Sequence, residues 1–134
     1  MKYIFEIFRD TNTILVYLSD HGEEVYDYRD SRGRVASRIN ANLLKYQYSI
    51  PFMIWYSDKY KKTHKRKVGL INESKSLPFI SDLLPNVMFG IGNVKTKYYH
   101  IKHDLTSGYY VPCKRIVNDG YDYDSFFRTN INRK

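Results

Sequence analysis

Residues 14–18, Ile14-Leu15-Val16-Tyr17-Leu18, form an unbroken apolar run rich in strand formers. Such a run predicts a strand buried on both faces, as in a parallel sheet covered by helices. It stops abruptly at Ser19-Asp20-His21-Gly22-Glu23, where every residue but Gly22 carries a polar side chain. In open α/β sheets the chemistry sits just beyond the carboxyl ends of the strands, which is where Asp20 and His21 stand. Both are good zinc ligands. On a regular strand, adjacent side chains point to opposite faces, so two neighbours share one metal only if the chain turns between them. Gly22 removes side-chain bulk where a backbone must turn sharply or approach a ligand closely. On spacing and composition alone, the pair reads equally as a metal site and as a polar turn after a buried strand.

The whole phrase says more. Tyr17-Leu18-Ser19-Asp20-His21-Gly22-Glu23 resembles the second metal-binding motif of the sulfatase and alkaline phosphatase superfamily. Within it, the phrase is most similar to the bacterial phosphoethanolamine transferases that modify lipopolysaccharide. The resemblance implies a three-layer α/β/α fold, with Asp20 and His21 as ligands of a catalytic zinc. It further implies a phospholipid donor, an acceptor that is lipopolysaccharide or another phosphorylated glycan, and a catalytic domain facing the periplasm from the bacterial inner membrane.

At 134 residues the chain is expected to be a single domain with a real core. Its 14 Tyr and 7 Phe supply apolar bulk for that core. No stretch reaches the roughly 20 apolar residues of a membrane helix. There is no signal peptide pattern, because Glu6 interrupts the short apolar patch after Lys2. The single cysteine, Cys113, excludes an internal disulfide framework. With no His or Asp beside it, Cys113 reads as a passive small residue. The formal net charge of +8 favours anionic partners: nucleic acid, anionic lipid head groups or phosphorylated glycans.

In chain order, residues 1–10 put Ile4, Phe5, Ile7 and Phe8 on one helical face, leading into the first strand. Residues 24–42 read as a long polar surface loop, helical over 35–44. Loops of this length in compact domains are often functional. Arg29, Arg32, Arg34 and Arg38 lie within it and suit a phosphate or phosphorylated glycan. The substrate-binding candidates are Glu23, Arg29, Arg34 and Arg38, and Glu23 and Glu24 are possible partners for the second ring nitrogen of His21. The family usually carries a His in this loop that helps bind the phosphoryl group. No His lies between Glu23 and Tyr56 here, so Arg or Asn side chains would have to substitute.

Residues 49–56 read as a second buried strand, with Pro51 tolerated near its start. Ser57 or Asp58 suits the cap of a following helix. Lys61, Lys62, Lys65, Arg66 and Lys67 form either a solvated helix face or a contact with an anionic membrane surface. Residues 77–92 predict a helix with Asp82 as its cap, Pro85 in the first turn and Gly90 or Gly92 at its end. His100 and His103, three apart, fit a metal spacing on a helix, yet Tyr98, Tyr99 and Ile101 read equally as strand. They are taken as paired surface histidines. Residues 118–134 are expected to be a surface-packed or partly ordered tail.

Segments similar to the family's run in order to about Tyr110. In the family, the nucleophilic Thr, the other metal ligands and the membrane helices lie upstream of such a segment. None is found here. The expectation is therefore the C-terminal portion of a membrane-anchored transferase, inactive alone and with no catalytic nucleophile of its own. The rivals are a sulfatase-type hydrolase and a basic nucleic-acid-binding module. Against the module, the aromatics fall in apolar runs rather than on a stacking platform, and no nucleic-acid motif is present. No nucleic-acid partner is expected.

Overall fold

Two strands, β1 (Ile14–Leu18) and β2 (Phe52–Tyr56), pair in a two-stranded sheet. The computed structural model describes residues 1–35, 40–117 and 120–128. At one end of the pair, the Ser57 N–H donates to the Thr13 carbonyl at 3.0 Å; at the other, the Ser19 N–H donates to the Pro51 carbonyl at 3.3 Å. The start of each strand thus lies opposite the end of the other, which makes the ladder antiparallel. The expected neighbours are paired, but they do not run parallel. Nor is β1 buried on both faces. Its other residues are half-buried, and Tyr17 is 43% exposed. Antiparallel sheets can leave one face to water, and Tyr17 lies on that face.

The chain divides into two compact units, Met1–Leu15 with Ile54–Cys113 and Val16–Met53 with Lys114–Lys134. The first holds α1 (Lys2–Phe8), α3 (Asp58–Thr63), α4 (Lys65–Glu73) and α5 (Leu84–Gly92). Its core contains Tyr60, Val68, Ile71, Val87 and Leu105. The apolar face expected of α1 is not covered, since Ile4, Ile7 and Phe8 are exposed. Phe5 stacks on Trp55 with ring centroids 4.9 Å apart. Ser57 caps α3: its Oγ accepts from the Tyr60 N–H at 3.1 Å and donates to the Thr11 carbonyl at 2.5 Å.

The helix expected over 77–92 begins only at Leu84. A 3₁₀ turn, Ser81–Leu83, precedes it, closed by the Leu83 N–H on the Ile80 carbonyl, and Asp82 makes no side-chain cap. Pro85 stands in the first turn, where its missing N–H costs nothing. Asn93, in the left-handed region at φ 52°, ends the helix.

The second unit holds α2 (Ala41–Tyr48), which buries Leu43 and Leu44. The helix expected over 35–44 starts at Ala41. Asn40 is extended at φ −137°, and its Oδ1 accepts the Leu43 N–H at 3.1 Å, the geometry of a helix start. Residues 36–39 lie outside the described set. The tail forms a short antiparallel pair, β3 (Ile116–Val117) with β4 (Tyr121–Asp122), followed by α6 (Tyr123–Arg128). Arg115 closes this piece with both Nε and Nη2 on the Asp124 carboxylate. Among the described residues, no helix is long and apolar enough to cross a membrane.

Candidate metal centre

The chain leaves β1 at Leu18 and turns at once. The Ser19 hydroxyl donates to the His21 carbonyl at 2.7 Å, folding the backbone back across Asp20. The Gly22 N–H donates to the Gln47 carbonyl at 3.1 Å, at the last turn of α2. A Cβ on Gly22 would lie 2.4 Å from the Tyr46 carbonyl oxygen and 3.0 Å from that of Gln47. Gly22 is therefore required by close approach to helix backbone, which has no room to yield.

This turn brings Asp20 and His21 together, with Oδ2 of Asp20 3.7 Å from Nε2 of His21. Both side chains are open to solvent. His21 Nδ1 lies 3.1 Å from the Gly22 carbonyl oxygen. A carbonyl only accepts, so Nδ1 is the donor in this contact, and Nε2 is the ring atom turned toward the carboxylate. Zinc sits about 2.0–2.2 Å from carboxylate oxygen and imidazole nitrogen. A gap of 3.7 Å closes on such an ion with a small side-chain movement. The donor set, one carboxylate and one imidazole, fits zinc. Among the described residues, no group of three or more His, Cys, Asp and Glu side chains converges on one point.

Directly after the turn lies a buried charge. Glu24 is 0% exposed. Its Oε1 accepts from the Tyr28 and Arg29 N–H groups, both at 2.9 Å, and its Oε2 accepts from Arg29 Nε at 2.8 Å and faces Nη2 at 2.6 Å. The backbone of Glu24 is used as well, since its carbonyl accepts the Gly33 N–H at 2.9 Å. Arg29 Nη2 also donates to the Gly33 carbonyl at 2.8 Å. Burial pushes the Glu24 carboxyl upward. The backbone N–H bonds from Arg29 and Tyr28, followed by the Arg29 guanidinium itself, outweigh burial and hold the group below its ordinary 4.5. The loop over residues 24–33 is thus closed on itself around one carboxylate.

This changes the reading of the arginines. Arg29, expected to bind phosphate, has its Nε and Nη2 on Glu24 and Gly33 and serves the loop. Arg34 is exposed and lies over the Tyr48 ring at 5.9 Å. Arg32 is exposed, in an isolated bridge with Val25. Glu23 is exposed and Arg38 lies outside the described residues. Sequence reasoning missed Glu24 as the loop's anchor. The available signal was a basic residue five positions after an acidic one in a loop containing glycine.

In the other unit, Lys61, Lys62, Lys65 and Arg66 are exposed and make no ion pair among the described residues. Lys67 instead donates to the carbonyl and hydroxyl of Thr106 at 3.1 and 3.3 Å. A second fully buried carboxylate, Asp104, lies in the same unit. It accepts from the Tyr99 hydroxyl at 2.9 Å and from the Thr106 N–H and hydroxyl, both at 2.8 Å.

Comparison with known proteins adds the following. A profile described as sulfatase matches residues 3–88. The phosphoethanolamine transferase EptC of Escherichia coli O18:K1:H7 is 46% identical over 57 residues, covering 42% of this chain and 10% of that protein. The phosphoethanolamine transferase EptA of Salmonella typhimurium is 30% identical over 105 residues, covering 78% of this chain and 18% of that protein. The chain therefore matches only a small part of these relatives' length. Among solved structures, the C-terminal periplasmic domain of EcEptC from Escherichia coli superimposes with a TM-score of 0.71 at 25% identity, over 90% of this chain and 33% of that one. A complex of the same domain with Zn gives 0.75 at 24% identity, over 91% and 35%. The fold is the α/β fold of that alkaline phosphatase-like domain.

Proposed function

Since the chain belongs to the sulfatase family, we propose that it carries the Asp-His part of the zinc centre of a lipopolysaccharide-modifying phosphoethanolamine transferase. The observation that carries this reading is the 3.7 Å approach of Asp20 Oδ2 to Nε2 of His21 in the turn that ends β1. Its support is that the similar curated proteins are named phosphoethanolamine transferases and that the solved relative has a Zn complex.

Asp20 and His21 would hold the ion from one side. A catalytic zinc takes three protein ligands and one open position, so at least one further donor must come from outside this set. Zinc bound there would neutralise charge on phosphoryl oxygens and favour the ionised form of a hydroxyl nucleophile. The remaining work falls to the chain's own residues. The Gly22 contact with α2 and the Glu24–Arg29 clamp fix the turn, so that Asp20 and His21 are presented together without a further ordering cost. Arg32 and Arg34 are exposed after the turn, leaving two cations for a phosphate-bearing donor or acceptor, and Arg38 is the fourth arginine of the loop. The donor in this reading is a phospholipid, the acceptor a phosphorylated glycan of lipopolysaccharide, and the nucleophile a Thr elsewhere in the protein, which acts at the periplasmic side of the inner membrane.

The test uses the full-length protein. Asp20→Asn and His21→Ala should each abolish transfer and lower zinc content at least 10- to 100-fold in affinity, while circular dichroism stays unchanged. Retention of both zinc and transfer in either variant overturns the assignment.

A further inference from the structure

We propose that His100 and His103 form a two-imidazole site for a divalent transition-metal ion, distinct from Asp20 and His21. His100 precedes a 3₁₀ turn, Ile101–His103, and His103 is its last residue. His100 is extended at φ −117°, and the turn that follows carries the chain round to His103. Their rings are 5.5 Å apart between centroids and inclined by 58°. Two imidazoles on one ion, each with a metal–nitrogen bond of about 2.0–2.1 Å, have ring centres about 5 Å apart. The rings already stand near the separation that chelation needs.

The fold makes no use of these rings. Both residues are exposed, and among the described residues neither imidazole makes a hydrogen bond. The backbone beneath them is tied down on every side. The His100 N–H donates to the side-chain oxygen of buried Asn86 at 2.7 Å. The His103 N–H returns to the His100 carbonyl at 2.9 Å, and the Val111 N–H donates to the Lys102 carbonyl at 2.9 Å. The Ser107 hydroxyl holds the Ile101 carbonyl at 2.8 Å. Asp104, the next residue, is locked inside by Tyr99 and Thr106. Chelation would then order only two side chains, because the turn is already set.

Imidazole nitrogens without carboxylate or thiolate select the later first-row ions, with Cu²⁺ ahead of Ni²⁺ and Zn²⁺. Mg²⁺ and Ca²⁺ require oxygen ligands. The coordination positions left over stay open to water or an oxyanion.

The experiment titrates CuCl₂, NiCl₂ and ZnSO₄ into the 134-residue chain by calorimetry, with electron paramagnetic resonance on the Cu²⁺ sample. The expected result is a site with hyperfine coupling to two nitrogens and affinity in the order Cu²⁺, Ni²⁺, Zn²⁺, alongside weaker one-imidazole binding at Asp20 and His21. His100→Asn and His103→Asn should each weaken Cu²⁺ at least about tenfold and reduce the coupling to one nitrogen, while His64→Asn leaves the two-nitrogen signal unchanged. Undiminished Cu²⁺ affinity in the double variant, or a spectrum unaltered by it, overturns the proposal. A two-nitrogen signal that changes only in the His64 variant does so too.

Discussion

Glu24 and Asp104 are both 0% exposed, and the protein satisfies them by different means. Glu24 is met by a guanidinium and two backbone N–H groups. Asp104 receives three neutral donors, and the nearby cation, Lys67, is spent on Thr106. The Asp104 site depends on shape as well. A Cβ on Gly90 would lie 1.8 Å from Asp104 Oδ2 and 2.6 Å from its Cγ. The loop after the Asp20–His21 turn is thus held by charge, and the segment from Tyr99 to Thr106 by fit.

The largest effect should come from breaking the fit. In Gly90→Ala the carboxylate has no room, and overpacking costs about 1–3 kcal/mol before any lost hydrogen bond is counted. Urea unfolding should show a clear fall in midpoint with an unchanged slope. A neutral Gly90→Ala would mean that Asp104 is not packed against α5.

Next is the charge. Arg29→Ala leaves Glu24 buried without its guanidinium and should lower the unfolding midpoint, more so than Arg29→Lys, which keeps a cation without the fork geometry. The Glu24 carboxyl is held below 4.5 in the folded state, so its contribution is present above about that pH and fades as pH falls through the folded value. Glu24→Gln should flatten that acid limb. Identical acid limbs in the two proteins would remove the clamp from the comparison.

The smallest effect separates the two sites by pH alone. Tyr99 is pushed up to about 12 from 10.0, first by burial and then by its hydrogen bond to Asp104 and the negative charge there. A raised tyrosine stabilises the fold fully below pH 10 and loses that contribution as pH climbs toward about 12. Tyr99→Phe should cost about 1 kcal/mol at neutral pH and reduce the alkaline loss, of which buried Tyr60, also raised, keeps a share. Alkaline denaturation followed by tyrosine absorbance checks it.

The sequence carried the local signals well. Ser57 as a cap, Pro85 in a first turn and the two apolar strands all rest on interactions within a few residues, which residue type alone can encode. The direction of strand pairing does not, because it is set by partners some 40 residues apart in the chain, and an apolar run has the same composition in either orientation. The loop arginines show the same limit. Four of them in a polar stretch read as one anion site, but burial of Glu24 assigned Arg29 to the loop itself. Which of two adjacent glutamates, Glu23 or Glu24, turns inward is a property of the closed loop and leaves no trace in residue type. The resemblance of Ser19-Asp20-His21-Gly22-Glu23 to a known motif marked the turn, yet the role of Gly22 against α2 came only from the geometry.

That contact makes α2 a gauge for the turn. Gly22 docks on the carbonyls of Tyr46 and Gln47, so Asp20 and His21 stand wherever α2 happens to stop. One residue added to the helix would advance those carbonyls by about 1.5 Å and swing them by about a quarter turn. The contact thus constrains the length of α2 rather than its exposed side chains. A helix with no chemistry of its own therefore inherits the tolerance of the site beside it.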